Sequence, residues 1–156
     1  LLASKPEEEN NLLKILVNKL GDPSRKVSSN AGYLMSQLLQ QHRAMSMVVA
    51  REVEGFLFRS GLPTRARYCA IVFLNQLSFS HREQDQALAA RLINAYFGMF
   101  KVLLKEAEKE HSSQGGQGAM PDVDARILSA IITGVRRAFP YVKHEEADAL
   151  MEAHTP

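Results

Sequence analysis

A chain of 156 residues, 46% apolar and 23% charged, has material for one compact domain or about three to four helix pairs of a longer array. Its apolar runs are short, which argues against a membrane span and a membrane partner, and its single cysteine, Cys69, excludes an internal disulfide and fits a reducing compartment. The net charge of +2 conceals an uneven spread: residues 10–105 carry a surplus of +8, residues 1–9 stand at −2 and residues 106–156 at −4, so a basic centre between acidic ends can steer an anionic partner.

The opening, Leu1-Leu2-Ala3-Ser4-Lys5-Pro6, has neither an initiator Met nor the apolar stretch of a signal peptide, and is expected to be cut from a longer chain. Ser4-Lys5-Pro6-Glu7 reads as a capping box for a first helix over about 7–20, which Gly21 is placed to end. A second helix follows Ser24 as N-cap, with Val27, Ala31, Leu34 and Leu38 on one inward stripe. The third, over about 44–58, carries Met45, Val48, Val49, Glu52, Val53, Phe56 and Leu57, a face apolar apart from Glu52. Gly61 and Pro63 break the chain, and Thr64 can cap a fourth helix whose inward face is Ala70, Ile71, Leu74 and Leu77.

Ser80-His81-Arg82-Glu83 is a second capping-box match and opens a long fifth helix to about residue 110. There Leu88, Leu92, Tyr96, Phe100 and Leu104 recur every four residues, and Ile93, Phe97 and Leu103 widen the face, as in an interior helix of a stacked array. Residues 111–121 are polar and glycine-rich and are expected to form a flexible surface loop. Pro121 and Asp122 restart the chain. A sixth helix carries Val123, Ile127, Ile131 and Val135 and stops before Pro140, since the residue preceding a proline avoids helical geometry. A short amphipathic segment over 145–153 closes the chain. No stretch alternates with period two for long enough to make a strand, so the chain is expected to be all-α.

Two turns share a pattern forty residues apart. Gly21-Asp22-Pro23-Ser24-Arg25 and Gly61-Leu62-Pro63-Thr64-Arg65 align Gly, Pro, a hydroxyl residue and Arg in register, each between two helical segments. That period predicts a HEAT/armadillo-like α-solenoid of about three helix pairs (first with second, third with fourth, fifth with sixth), with residues 1–156 as one segment of the array. The third turn, at Pro121, falls late because the fifth helix and the loop after it are long.

Catalytic patterns are weak. His144-Glu145-Glu146-Ala147-Asp148 resembles the zinc-protease helix motif, but Asp148 replaces the second histidine, so it reads as an acidic helix start. His42, His81, His111 and His154 show no ligand spacing, and Cys69, on a half-buried helix, reads as a packed thiol. Gly115-Gly116-Gln117 matches the release-factor tripeptide only within low-complexity sequence, and neither a phosphate-cradling loop nor a Gly-x-Ser-x-Gly elbow is present. The pattern predicts no enzyme activity, no metal and no cofactor.

Several blocks carry a resemblance. Leu20-Gly-Asp-Pro-Ser-Arg-Lys-Val27, Val48-Val-Ala-Arg-Glu-Val-Glu-Gly-Phe-Leu-Phe-Arg59, Arg67-Tyr-Cys-Ala-Ile-Val-Phe-Leu-Asn-Gln-Leu77, Ala90-Arg-Leu-Ile-Asn-Ala-Tyr-Phe97 and Ile127-Leu-Ser-Ala-Ile-Ile-Thr-Gly-Val-Arg-Arg-Ala-Phe-Pro-Tyr141 occur in that order. Together they resemble the nucleolar complex-associated, CCAAT-binding factor family over about residues 12–142; the last block is specific, whereas a Gly-Asp-Pro turn is common in helical repeats. The resemblance implies a HEAT-like scaffold of the nucleolus that assists early assembly of the large ribosomal subunit. It further implies pairing with a second nucleolar complex-associated protein, contact with other assembly factors, and contact with pre-rRNA in pre-ribosomal particles. Residues 112–120 depart from the family pattern. The segment lies upstream of the family's CCAAT-binding-factor domain, so that domain's partner-binding residues do not carry over.

Three functions compete on this sequence. In a non-catalytic scaffold that binds pre-rRNA and assembly factors, Arg25, Lys26, Arg65 and Arg67 are candidate phosphate contacts, because both pairs fall at equivalent turns and can align along one edge; Arg136 and Arg137, ending the sixth helix, are further candidates. A protein-only interaction module would use an apolar groove, entered near Met99 and Val102 on the fifth helix. Sequence-specific CCAAT-promoter binding lacks a zinc finger, a basic zipper or a recognition helix.

Overall fold

A computed structural model describes residues 6–113 and 124–154. All regular structure among them is helical: α1 (Pro6–Lys19), α2 (Arg25–Gln41), α3 (Ser46–Leu57), α4 (Thr64–Leu74), α5 (Glu83–Ser113), α6 (Ala125–Ala138) and α7 (His144–His154), with short 3-10 turns at Arg43–Met45 and Phe139–Tyr141. The all-α expectation holds for these residues. The chain divides into two compact units, Leu1–Ser78 and Phe79–Pro156. The first capping box, most of the glycine-rich run, Pro121, Asp122 and Val123 lie outside the described residues.

In the first unit α1 packs on α2 and α3, and α3 packs on α4. Leu13, Val17 and Leu20 of α1 and its exit are buried, together with Ala31 and Met35 of α2, Val49, Ala50, Val53, Phe56 and Leu57 of α3, and Ala70, Ile71 and Leu74 of α4. The inward face expected for α4 is therefore seen, with Leu77 buried just beyond its end. The register expected for α2 is rotated. Its buried line is Ser28, Ala31 and Met35, while Val27 and Leu34 are exposed. Ser28 explains this: its hydroxyl donates to the Leu20 carbonyl at 2.7 Å, so a polar residue can sit inside while tying the start of α2 to the end of α1. α3 starts at Ser46, because a 3-10 turn occupies Arg43–Met45, and Val48 on its first turn stays exposed.

Helix ends refine the sequence-based caps. Ser24 is the N-cap of α2, its hydroxyl accepting from Val27 N at 3.4 Å, and Asp22 steadies the turn by accepting from Ser24 N at 2.9 Å. α4 is different. Its N-cap is Pro63 without a side-chain bond, so Thr64 enters the helix instead of capping it.

The second unit is organised on α5, against which α6, α7 and the Phe139–Tyr141 turn pack. Leu88, Leu92, Ile93, Tyr96 and Met99 are buried along it. A stretch of α5 is long and apolar enough to cross a membrane, which the short apolar runs of the sequence had not suggested, and 44% of that stretch is buried inside the unit. Phe100, expected inside, is 37% exposed. At the helix start the Ser80 hydroxyl accepts from Arg82 N at 3.3 Å, and the reciprocal partner is Asp85, not Glu83. Its Oδ2 accepts from Ser80 N at 2.9 Å and from the Ser80 hydroxyl at 2.5 Å. Asp124 caps α6 by accepting from Arg126 N at 2.8 Å, and α6 ends at Ala138, ahead of Pro140 as expected. Ala89, Ile93, Ala138 and Leu150 form a small core that joins α5, α6 and α7, with Phe79, Phe97, Tyr141 and Val142 packed around it.

Candidate interaction surfaces

The two similar turns of the first unit have different physical reasons for their glycines. A Cβ on Gly21 would lie 2.8 Å from Phe56 Cζ and 3.1 Å from Ala66 Cβ, so Gly21 is required by the close approach of the second helix pair. Gly61 has φ of +74° and open space around its Cα; there the backbone itself selects glycine. What links the turns is Arg65. Its Nη2 donates to the Gly21 carbonyl at 3.0 Å and to the Asp22 carbonyl, so the first residues of α4 are stapled to the exit of α1. These carbonyls follow the end of a helix, where the backbone is short of donors and a cation is favoured. Arg59 makes a parallel link, donating to Asn18 Oδ1 at 2.8 Å while its guanidinium stands 5.1 Å from the Phe56 ring centroid.

This geometry sorts the six candidate phosphate contacts. Arg25 and Lys26 are exposed at the start of α2 and, among the described residues, neither makes a hydrogen bond or ion pair. Arg65 is exposed but committed to the turn carbonyls. Arg67 departs from the expected edge. It is only 7% exposed, because it lies two residues beyond Arg65 on the inward side of α4 next to Ala66 and Ala70. A buried guanidinium cannot meet a phosphate backbone, so the expected pairing of Arg65 with Arg67 along one edge is not present. Arg136 is exposed on α6 without such a commitment among the described residues, whereas Arg137 is half-buried with its guanidinium 5.8 Å from the Phe79 ring centroid. Arg137 also faces the buried Tyr96, whose phenol is pushed well above its ordinary pKa, mainly by loss of water and against the pull of the Arg137 charge.

A groove of about 380 Å³ runs between α2 and α4, lined on one side by Ser29, Gly32 and Ser36 and on the other by Cys69, Val72 and Phe73. Tyr33 stands exposed at its lip, its hydroxyl accepting from Gln37 Nε2 at 2.8 Å. The sequence had placed an apolar entry at Met99 and Val102. Met99 is fully buried and cannot serve as one. The α2–α4 groove was missed because small residues such as Gly32 carry no hydrophobic signal; their spacing on α2 was the cue. Cys69 is a half-buried free thiol on its wall. Among the described residues no three His, Cys, Asp or Glu side chains are placed to hold a metal ion. The acidic start at His144–Asp148 opens α7, with only Ala147 of it buried.

Comparison with known proteins adds what geometry cannot. The chain is 44% identical to Protein SLOW WALKER 2 of Arabidopsis thaliana over its whole length, which is 17% of that protein. It is 44% identical to human CCAAT/enhancer-binding protein zeta over 90% of the chain, 12% of that protein. It is 39% identical to Ribosome biogenesis protein NOC1 of Chaetomium thermophilum over 99% of the chain, 16% of that protein. The chain thus spans less than a fifth of these relatives. No protein-family model matches it.

Proposed function

For a chain homologous over most of its length to proteins named for the nucleolar complex, for ribosome biogenesis and as CCAAT/enhancer-binding protein zeta, we propose a non-catalytic helical-repeat scaffold of the nucleolus. It serves assembly of the large ribosomal subunit by holding pre-rRNA and assembly proteins, a second nucleolar complex protein among them. The observation that carries this reading is the relatives' names, joined to an all-helical chain whose two helix pairs in the first unit repeat at forty residues. The relatives' names support a role in ribosome assembly. Solenoid architecture and RNA contact extend it.

The proposed phosphate contacts are fewer than the six that the sequence suggested: Lys26 on the first unit and Arg136 on the second, since both heads are exposed and uncommitted among the described residues. Arg65, Arg67 and Arg137 are spent on the protein's own packing. Arg25, as exposed and uncommitted as Lys26 among the described residues, stays with it as a proposed contact. Contacts of this kind hold a backbone without reading bases. A second reading, a protein-only docking module, is favoured by the α2–α4 groove with Tyr33 at its lip.

The test is binding of structured RNA across a salt series, with a CCAAT duplex as control. Affinity that falls steeply with salt, shows no preference for the duplex, and loses about one unit of log–log slope in each of Lys26→Glu and Arg136→Glu supports the scaffold reading. Absence of binding to either nucleic acid at low salt moves the reading to the protein module, and preference for the duplex moves it to promoter recognition.

A further inference from the structure

Gly32 stands in the middle of α2, where a glycine weakens a helix relative to alanine. The packing does not require it. A Cβ there would meet Leu20 Cδ2 at 3.7 Å and Phe73 Cδ1 at 3.9 Å, ordinary contact distances, in contrast to the clash at Gly21. Both neighbours line the α2–α4 groove, so the missing side chain leaves its floor open. Ser29 and Ser36 flank that floor. On the opposite wall Cys69, Val72 and Gln76 answer Ser29, Gly32 and Ser36, each forty residues on.

The groove continues past Ser36. A second hollow of about 280 Å³ shares Ser36 and Gln76 with it and reaches Arg43 and Ser46 at the far end. At the near end Arg25 heads the same face of α2, since at 100° per residue it lies within about 40° of Ser29, Gly32 and Ser36. Neither α2 nor α4 carries an Asp or Glu, and among the described residues neither hollow is lined by one. The Asp22 carboxylate, in the turn before α2, is already engaged: it accepts from Ser24 N at 2.9 Å and lies 4.0 Å from Lys19. The first turn of α2 adds its own partial positive charge at the Arg25 end.

We propose that this groove docks an extended acidic segment of a partner protein, with carboxylates at its two ends, against Arg25 and Arg43, and small or apolar residues between, over Gly32 and against Val72 and Phe73. α2 has 17 residues and is about 25 Å long, a distance that about eight residues of extended chain span. Ser29, Ser36 and Gln76 stand along the way with hydroxyl and amide groups for its backbone. The charge pattern favours a peptide over a nucleic acid. No Lys or Arg stands between Lys26 and Arg43, or after Arg67 on α4. A strand with a phosphate on every unit would therefore cross the middle of the groove unpaired, whereas a peptide with charged ends and a neutral centre matches it. The inference rests on the protein-holding part of the proposed function and not on RNA contact. Arg25 is common to both surfaces, while Lys26, about 100° round the helix, belongs to the RNA surface alone.

The test presents the chain of 156 residues with a positional-scanning array of octapeptides. Selection of Asp or Glu at the terminal positions and of small or apolar residues at the central ones is expected. Indifference to sequence, or selection of Lys or Arg at the ends, overturns the proposal. The best octapeptide is then titrated by fluorescence anisotropy. Gly32→Met, which fills the groove, is expected to weaken it about tenfold with the thermal midpoint unchanged or raised. Arg25→Glu, at an exposed site that leaves the fold intact, is expected to weaken it by about fivefold, and Lys26→Glu to leave it unchanged. Unaltered affinity in Gly32→Met or in Arg25→Glu overturns the proposal. So does RNA binding that falls with Gly32→Met, because the groove would then hold nucleic acid. Absence of RNA binding in the salt series, with octapeptide selection intact, would strike the RNA reading alone.

Discussion

In the first unit four helices of 11 to 17 residues share their apolar faces between neighbours, whereas in the second a single helix of 31 residues gathers α6 and α7 onto itself. Short paired helices leave apolar side chains at their edges: Leu12, Ile15, Val27, Tyr33 and Leu34 are all exposed. Around α5 the large apolar residues from Leu88 to Met99 are almost all covered, and an extra helix, α7, is added to cover them. A repeat pair needs another pair to finish its core, while a helix with a broad apolar face must be wrapped. The first unit therefore leaves more large apolar side chains open than the second, where, among the described residues, Phe100, Ile132, Phe139 and Met151 are the exposed ones.

The comparison is broken most severely at the centre of the second unit. Leu92→Ala is expected to cost about 2–5 kcal/mol in denaturant unfolding, against about 1 kcal/mol or less for Phe100→Ala eight residues along the same helix. Equal costs would mean that α5 is not wrapped as described. In the first unit Met35→Ala should cost a similar 2–5 kcal/mol and Leu34→Ala close to zero in the chain of 156 residues.

Next in size are the two turn glycines, which the sequence makes equivalent and the structure does not. Gly21→Ala and Gly61→Ala should each destabilise by about 1–3 kcal/mol, the first through a clash with Phe56 and the second through a left-handed backbone. A Phe56→Leu background should relieve the first penalty and leave the second untouched. Equal behaviour in that background would show that one cause serves both. Smaller again, Arg65→Ala should cost about 1 kcal/mol, reduced by solvent at an exposed site, and Arg25→Ala close to nothing in the chain of 156 residues.

The smallest effect is a pH dependence confined to the second unit. His154 stacks on Phe97 at 4.6 Å, its Nε2 is 3.1 Å from Asn94 Oδ1, and its pKa is lowered first by burial and then by the charge of Lys101. A base held below its unfolded pKa favours the neutral form, so its contribution is complete above about pH 6.5 and is lost as the pH falls below that towards the lowered folded-state pKa. Amide exchange in α7 should therefore quicken between pH 7.5 and 5.5, and His154→Gln should flatten the change. An unchanged profile would place the pH response elsewhere.

The helices, and the absence of strand patterning, were legible because periodicity, glycine and proline all pointed the same way at Gly21, Gly61 and Pro140. What escaped was rotation about a helix axis. Val27, Ala31, Leu34 and Leu38 form an acceptable stripe, but a buried serine hydroxyl bonded to Leu20 sets the true face one position over. The surface was legible only in part. Arg65 and Arg67 are alike in sequence and opposite in burial, since two residues along a helix turn a side chain by about 200°. Family resemblance supplied the ribosomal setting, which neither helix pattern nor charge could reach.

The most direct test of the scaffold reading is ultraviolet crosslinking of the parent protein in pre-ribosomal particles, with RNA-bearing peptides identified by mass spectrometry. The account predicts adducts on peptides at the start of α2, around Lys26, and at the end of α6, around Arg136, with large-subunit precursor RNA attached. RNA adducts confined to other parts of the parent protein, with residues 1–156 bare, would contradict it.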